Sequence, residues 1–119
     1  MKRVLVVEDD KINAFIIKKF LSAEYVVIIL QDSNSVLESA ENGESYDVVL
    51  MDINLGSGID GFETAKKIRE LDKYSDTPII ALTTNDYDHV RDKCISSRMN
   101  AYIQKPFDKA YLLGTIREI

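Results

Sequence analysis

Short apolar runs rich in β-branched residues alternate along the chain with longer stretches whose apolar positions recur every three or four residues. Arg3–Val7 is the first such run and predicts a strand. Residues from about 11 to 21 predict a helix, with Ile12, Phe15, Ile16 and Phe20 on one face. Residues 25–30 predict a second strand. The helix expected from about Ser33 turns Val36, Leu37 and Ala40 inward and stops at Asn42-Gly43, a residue pair suited to a helix C-terminus. Residues 46–51 are almost wholly apolar, as expected of a strand covered on both faces. Gly56-Ser57-Gly58 predicts a loop, and a helix follows from about 61 to 71 with Phe62, Ala65, Ile68 and Leu71 at three-residue spacing. Pro78 opens a fourth strand over 79–82, at a position where a missing N–H is tolerated. A more polar helix spans about 86–97, Ala101–Gln104 makes a short fifth strand, and a final helix runs from about Asp108 to the end.

Five strand–helix units predict an α/β, doubly wound parallel sheet with helices on both faces. At 119 residues the chain has room for one core, so a single domain over 1–119 is expected. The longest apolar runs are too short to span a bilayer, so no membrane segment is expected. The net charge is −5 without a Lys/Arg cluster, which argues against direct binding of nucleic acid. Cys94 is the only cysteine and His89 the only histidine. Neither a disulfide nor a zinc or nucleophile constellation can be assembled from them, and a cytoplasmic, reducing location is expected.

The chemistry lies where the strands end. The first ends in Glu8-Asp9-Asp10, the third in Asp52, the fourth in Thr83-Thr84 and the fifth in Lys105. Ligands of an open parallel sheet bind beyond the carboxyl ends of its strands, at the point where strand order reverses. With the order 2-1-3-4-5, Glu8, Asp9 and Asp52 converge there. Carboxylates about 4 Å apart repel by on the order of 4 kcal/mol per pair at an effective dielectric near 20, so a proton or a cation is expected among them. An all-oxygen donor set suits Mg2+, which would let Asp52 act as a nucleophile toward a phosphoryl group. Lys105 would be a second cation for the phosphoryl oxygens, and the Thr83 hydroxyl a hydrogen-bond donor. Asp10 is better suited to capping the helix that follows it.

Four segments carry a resemblance to a known family: Val4-Leu5-Val6-Val7-Glu8-Asp9-Asp10, Val49-Leu50-Met51-Asp52-Ile53-Asn54, Pro78-Ile79-Ile80-Ala81-Leu82-Thr83 and Tyr102-Ile103-Gln104-Lys105-Pro106-Phe107. In this order and spacing they resemble the receiver domains of two-component response regulators, whose fold is flavodoxin-like. The resemblance implies that Asp52 is the phosphoacceptor, taking its phosphoryl group from a sensor histidine kinase or a histidine phosphotransfer protein. It implies that Mg2+ is held by Asp9, Asp52 and the Asn54 backbone carbonyl, with Glu8 acting mainly through water. Lys105 matches the family lysine, with a cis bond to Pro106 expected, and Thr83 and Tyr102 match the two switch residues. A downstream effector and a homodimer through the face of the fourth helix, fifth strand and fifth helix are further implied partners. Such a protein catalyses only its own phosphorylation and dephosphorylation. One loop departs from the commonest pattern: it is a residue longer than usual, with Gly56 where proline is typical, and greater flexibility is expected of it. Asn54 and Asn85 occupy positions that help set phosphoryl lifetime in the family.

The alternative reading is an interaction module that keeps the fold and works without phosphorylation, but the intact set of Glu8, Asp9, Asp52 and Lys105 argues against it. An enzyme on the same architecture fits less well. A flavin protein needs a phosphate loop after the first strand, where Glu8-Asp9-Asp10 would repel phosphate, and an aspartate-nucleophile phosphatase needs an Asp-x-Asp there.

Overall fold

In the computed structural model, which describes residues 1–56 and 58–119, a parallel sheet is built from β1 (Arg3–Val7), β2 (Val26–Leu30), β3 (Val48–Asp52), β4 (Ile79–Thr83) and β5 (Ala101–Gln104). The strand order is β2-β1-β3-β4-β5, with every neighbouring pair parallel. The helices are α1 (Lys11–Leu21), α2 (Ser33–Glu41), α3 (Gly61–Arg69), α4 (Tyr87–Ser96) and α5 (Lys109–Arg117). A 3-10 turn at Asp72–Tyr74, which the sequence pattern does not predict, follows α3. Among the described residues, no helix is long and apolar enough to cross a membrane.

The sheet separates two cores because successive strand side chains point to opposite faces. Val4, Val6, Val48, Leu50, Ile80, Leu82 and Ile103 pack with Ile17 and Leu21 of α1 and with Leu112, Leu113 and Ile116 of α5. On the other face, Leu5, Val7, Val49, Met51 and Ile79 pack with Val36 and Ala40 of α2 and Ala65 and Ile68 of α3. Burial on both faces explains why β1, β3 and β4 read as unbroken apolar runs.

Each of the five helices is entered through an aspartate. Asp10, Asp32, Asp60, Asp86 and Asp108 each sit at an N-cap and accept a backbone N–H of the first turn. Such caps satisfy donors that the helix itself leaves unpaired. Asp10 takes two, from Ile12 at 2.8 Å and Asn13 at 3.1 Å, which is the capping role expected of it.

The face expected of α1 is corrected. Ala14, Ile17 and Leu21 face the sheet, while Ile12 is 72% and Phe15 62% exposed and Ile16 is also exposed. Phe20 lies at the border, partly buried against the core. The helix is apolar on two opposite sides, and periodicity alone cannot rank them. The β-sheet selects the side whose small Ala14 permits close approach.

Candidate functional site

Strand register brings the strand ends level with one another. Val7 pairs with Met51, so the next residues, Glu8 and Asp52, emerge side by side at the C-terminal edge of β1 and β3. Asp52 pairs with Leu82, which sets Thr83 one step beyond it, and Thr83 pairs with Gln104, which sets Lys105 one step further. The edge lies where β1 is flanked by β2 on one side and β3 on the other, the reversal point of strand order.

Four of the expected side chains meet there. The Lys105 ammonium donates to Glu8 Oε2 and to Asp52 Oδ2, both at 3.0 Å. Glu8 is only 1% exposed and Asp52 only 4%. Their remaining oxygens are also used: Asp10 N donates to Glu8 Oε1 at 3.2 Å, and Asn54 N to Asp52 Oδ1 at 3.0 Å. Asp9 is exposed, and one carboxylate oxygen from each of Glu8, Asp9 and Asp52 lies within 4.8 Å of the other two. Asn54 follows directly in the β3–α3 loop. The Lys105–Pro106 peptide bond is cis, as expected.

Thr83 is buried at the end of β4, its Oγ1 accepting from Asn85 N at 3.1 Å. Tyr102 stands apart from the acidic cluster. Its ring leans against Tyr87 with centroids 5.1 Å apart, and its hydroxyl donates to Gln104 Oε1 at 3.2 Å. His89 is exposed, with Nδ1 2.7 Å from Asp86 Oδ1, and Cys94 is buried. Ser57 of the expected loop lies outside the described residues.

Two contributors were not singled out from the sequence. Gly61 begins α3 directly against the end of β3: a Cβ there would fall 2.3 Å from the Asp52 carbonyl oxygen. Only a glycine lets the helix start that close to β3. Beside Lys105, a groove of about 380 Å3 runs between Ile16 of α1 and Thr84 and Phe107. Nothing in hydrophobic periodicity signals either feature.

The electrostatics follow from burial. Burial pushes the Glu8 carboxyl up to about 7, the neighbouring Asp52 carboxylate acts in the same direction, and Lys105 holds it partly down. Burial pulls the Lys105 ammonium the other way, but Asp52 and Glu8 outweigh it and the net shift is upward. Lys105 therefore stays charged, and with one ammonium against three carboxylates the cluster keeps an excess of negative charge. Its donors are all oxygen, which suits Mg2+ better than a nitrogen- or sulfur-seeking metal. The residues present thus fit that ion.

A pH dependence follows. Because the folded-state pKa of Glu8 lies above its ordinary 4.5, folding takes up a proton at this group. The associated stability is fully present below about pH 4.5 and is lost as pH rises through about 7. In metal-free protein, the unfolding free energy from urea titrations is expected to fall by on the order of 2–3 kcal/mol between about pH 5 and pH 8. Glu8→Gln should remove most of this slope. A slope unchanged by that substitution contradicts the assignment.

The family model for the response regulator receiver domain matches residues 4–117. Hybrid signal transduction histidine kinase L of Dictyostelium discoideum is 33% identical over 98% of this chain, which corresponds to only 7% of the kinase. The chain spans 6% to 49% of the length of such curated relatives. Among solved structures, chemotaxis protein CheY4 of Vibrio cholerae superposes with a TM-score of 0.93 at 28% identity, over 100% of this chain and 98% of that one. The receiver domain of a sensor histidine kinase from Pseudomonas aeruginosa PAO1, with a magnesium ion coordinated in its active-site cleft, gives 0.88 at 34% identity, over 98% of this chain and 95% of that one.

Proposed function

Since the chain belongs to the response regulator receiver family, a component of two-component and phosphorelay signalling, we propose that it forms one receiver domain and accepts a phosphoryl group on Asp52. The donor is the phosphohistidine of a sensor histidine kinase or of a histidine phosphotransfer protein. An Asp52 carboxylate oxygen forms the new O–P bond as the P–N bond to the donor imidazole breaks, leaving an acyl phosphate on this chain.

The observation that carries this reading is the Lys105 ammonium held 3.0 Å from both Glu8 and Asp52. It keeps a fixed positive charge beside the nucleophile, where the transferred phosphoryl oxygens would develop negative charge. Asp9, Asp52 and the Asn54 backbone carbonyl would hold Mg2+, with Glu8 acting through water. When bound, that ion would neutralise charge on both the attacking and the transferred oxygens. The Thr83 hydroxyl, at the end of the neighbouring strand, would donate to a phosphoryl oxygen. The hydroxyl can donate there while Oγ1 still accepts from Asn85 N, so its movement toward the phosphoryl group would draw on the loop before α4 and is the local event by which occupancy would bias it. Tyr102, now lying against Tyr87, would turn inward in the switched state and alter the α4–β5–α5 face, where an effector or a second copy would bind. Exposed Tyr87 and Tyr111 support that face as the output surface.

The exposed apolar stripe of α1 supports an input surface. Ile12, Phe15 and Ile16 are exposed on α1, as are Lys11, Lys18 and Lys19, and Ile16 lines the groove at Lys105. A donor carrying an apolar patch with acidic surroundings would seat its phosphohistidine toward Asp52 from there.

The test is direct. Incubated with a small-molecule phosphodonor and Mg2+, the protein is expected to gain the mass of one phosphoryl group, and none when the metal is chelated. No gain with any donor, small-molecule or phosphohistidine, would leave only a phosphorylation-independent interaction module.

A further inference from the structure

Two glycines of the β3–α3 loop share one backbone conformation but not one environment. Gly56 has φ +78° and Gly58 φ +84°, a region that side-chain-bearing residues rarely adopt and proline cannot. Around Gly58, a built Cβ would meet nothing within 4 Å. At Gly56 it would fall 2.9 Å from Asp9 Oδ2. The loop backbone therefore lies directly against the one carboxylate of the cluster that is exposed.

That carboxylate is also the least constrained. Among the described residues, the hydrogen bonds and ion pairs around the site hold Glu8 and Asp52 through Lys105, Asp10 N and Asn54 N, and none of them includes Asp9. Its place in the three-oxygen cluster then depends on the surfaces it touches. A methyl group at position 56 would be accommodated most cheaply by the flexible end of Asp9 swinging aside, rather than by movement of the sheet.

We propose that Gly56 is a positioning residue for the metal ligand Asp9, its bare backbone leaving the volume in which the Asp9 carboxylate stays gathered with Glu8 and Asp52, so that it sets the affinity for Mg2+. The inference rests on the reading of these carboxylates as a Mg2+ site. Displacing a ligand through its supporting contact typically weakens a metal site by about 10–100-fold.

The experiment is a calorimetric titration of the chain with MgCl2, comparing wild type, Gly56→Ala and Gly58→Ala. Both variants carry the backbone strain, but only the first carries the contact. Gly56→Ala is expected to raise the Mg2+ dissociation constant by about 10-fold, with Gly58→Ala near wild type. Phosphorylation by a small-molecule donor gives a second readout: for Gly56→Ala the half-saturating Mg2+ concentration should rise, while the rate at saturating Mg2+ stays that of wild type. Should Gly56→Ala lack a cooperative thermal transition, Gly56→Asn carries the same Cβ on a residue that tolerates positive φ. Equal weakening in both alanine variants, or weakening in neither, would overturn the inference. A wild-type chain that takes up no Mg2+ would overturn instead the metal-site reading beneath it.

Discussion

Replacing Asp52 by asparagine is expected to raise the melting temperature of the metal-free protein while abolishing phosphoryl acceptance. Asparagine keeps the shape of the side chain, so the packing of a residue only 4% exposed is preserved, and its one carbonyl oxygen can still accept from Asn54 N or from Lys105, though not from both, since its amide nitrogen only donates. What disappears is one negative charge from a cluster in which a single ammonium faces three carboxylates. Close carboxylates repel by on the order of 4 kcal/mol per pair. Part of that is already relieved where Glu8 holds a proton, its pKa standing at about 7, and part is offset by the lost ion pair with Lys105. The remainder gives a stabilisation of about 1–2 kcal/mol, or roughly 4–8 °C for a chain of this size. Added Mg2+ should narrow the gap by favouring wild type. A fall in melting temperature on Asp52→Asn would mean that the cluster holds the fold together and is not held in place by it.

The second large effect lies away from the site. Arg69 is buried at the end of α3, and all its N–H groups are engaged. Nε and Nη2 donate to Arg98 O at 3.1 and 2.9 Å, Nη1 to Tyr74 O and Thr77 O at 2.6 Å each, and Nη2 also to Asn100 Oδ1 at 2.8 Å. Asn100 Oδ1 accepts Ile79 N as well, at 2.8 Å, which ties the start of β4 to the same hub. Arg69→Met keeps much of the apolar stem but leaves the carbonyls of Tyr74, Thr77 and Arg98 without these donors, and unsatisfied buried groups cost about 1–3 kcal/mol each. A total loss of about 3 kcal/mol is expected, since some carbonyls will recruit water. Urea unfolding would measure it. Arg69→Lys should recover only part, because an ammonium lacks the planar fork that reaches both loops. A loss below about 1 kcal/mol for Arg69→Met, the ordinary net value of one hydrogen bond, would contradict the clasp.

Arg69 also marks what the sequence cannot convey. In a polar turn with Lys66 and Lys67, an arginine reads as part of a solvated face. Its burial comes from carbonyls contributed by two distant loops and by the unforeseen 3-10 turn. The two-sided α1 fails for a related reason, since local periodicity reports an apolar stripe but not which stripe the sheet will cover. The strand ends behave differently. A strand buried on both faces must be apolar throughout, so the first charged residue after each run marks the sheet edge, and Glu8, Asp52 and Lys105 stand there. Their convergence was legible given the order 2-1-3-4-5, because the alternation of elements makes the sheet parallel and so brings the strand ends to one edge. Of the five aspartates that cap helices, only Asp10 was legible as a cap. The close approach of Gly56 to Asp9 and of Gly61 to the end of β3 depends on loop path, which the pattern does not encode.

The central claim, that Asp52 is the acceptor at a site built with Glu8, Asp9 and Lys105, is tested most directly by locating the phosphoryl group. After incubation with a phosphodonor and Mg2+, borohydride reduction converts an aspartyl phosphate to homoserine, and peptide mass spectrometry finds the altered residue. The account predicts homoserine at position 52 alone. Conversion at Asp9 or another carboxylate, with Asp52 unaltered, would contradict it.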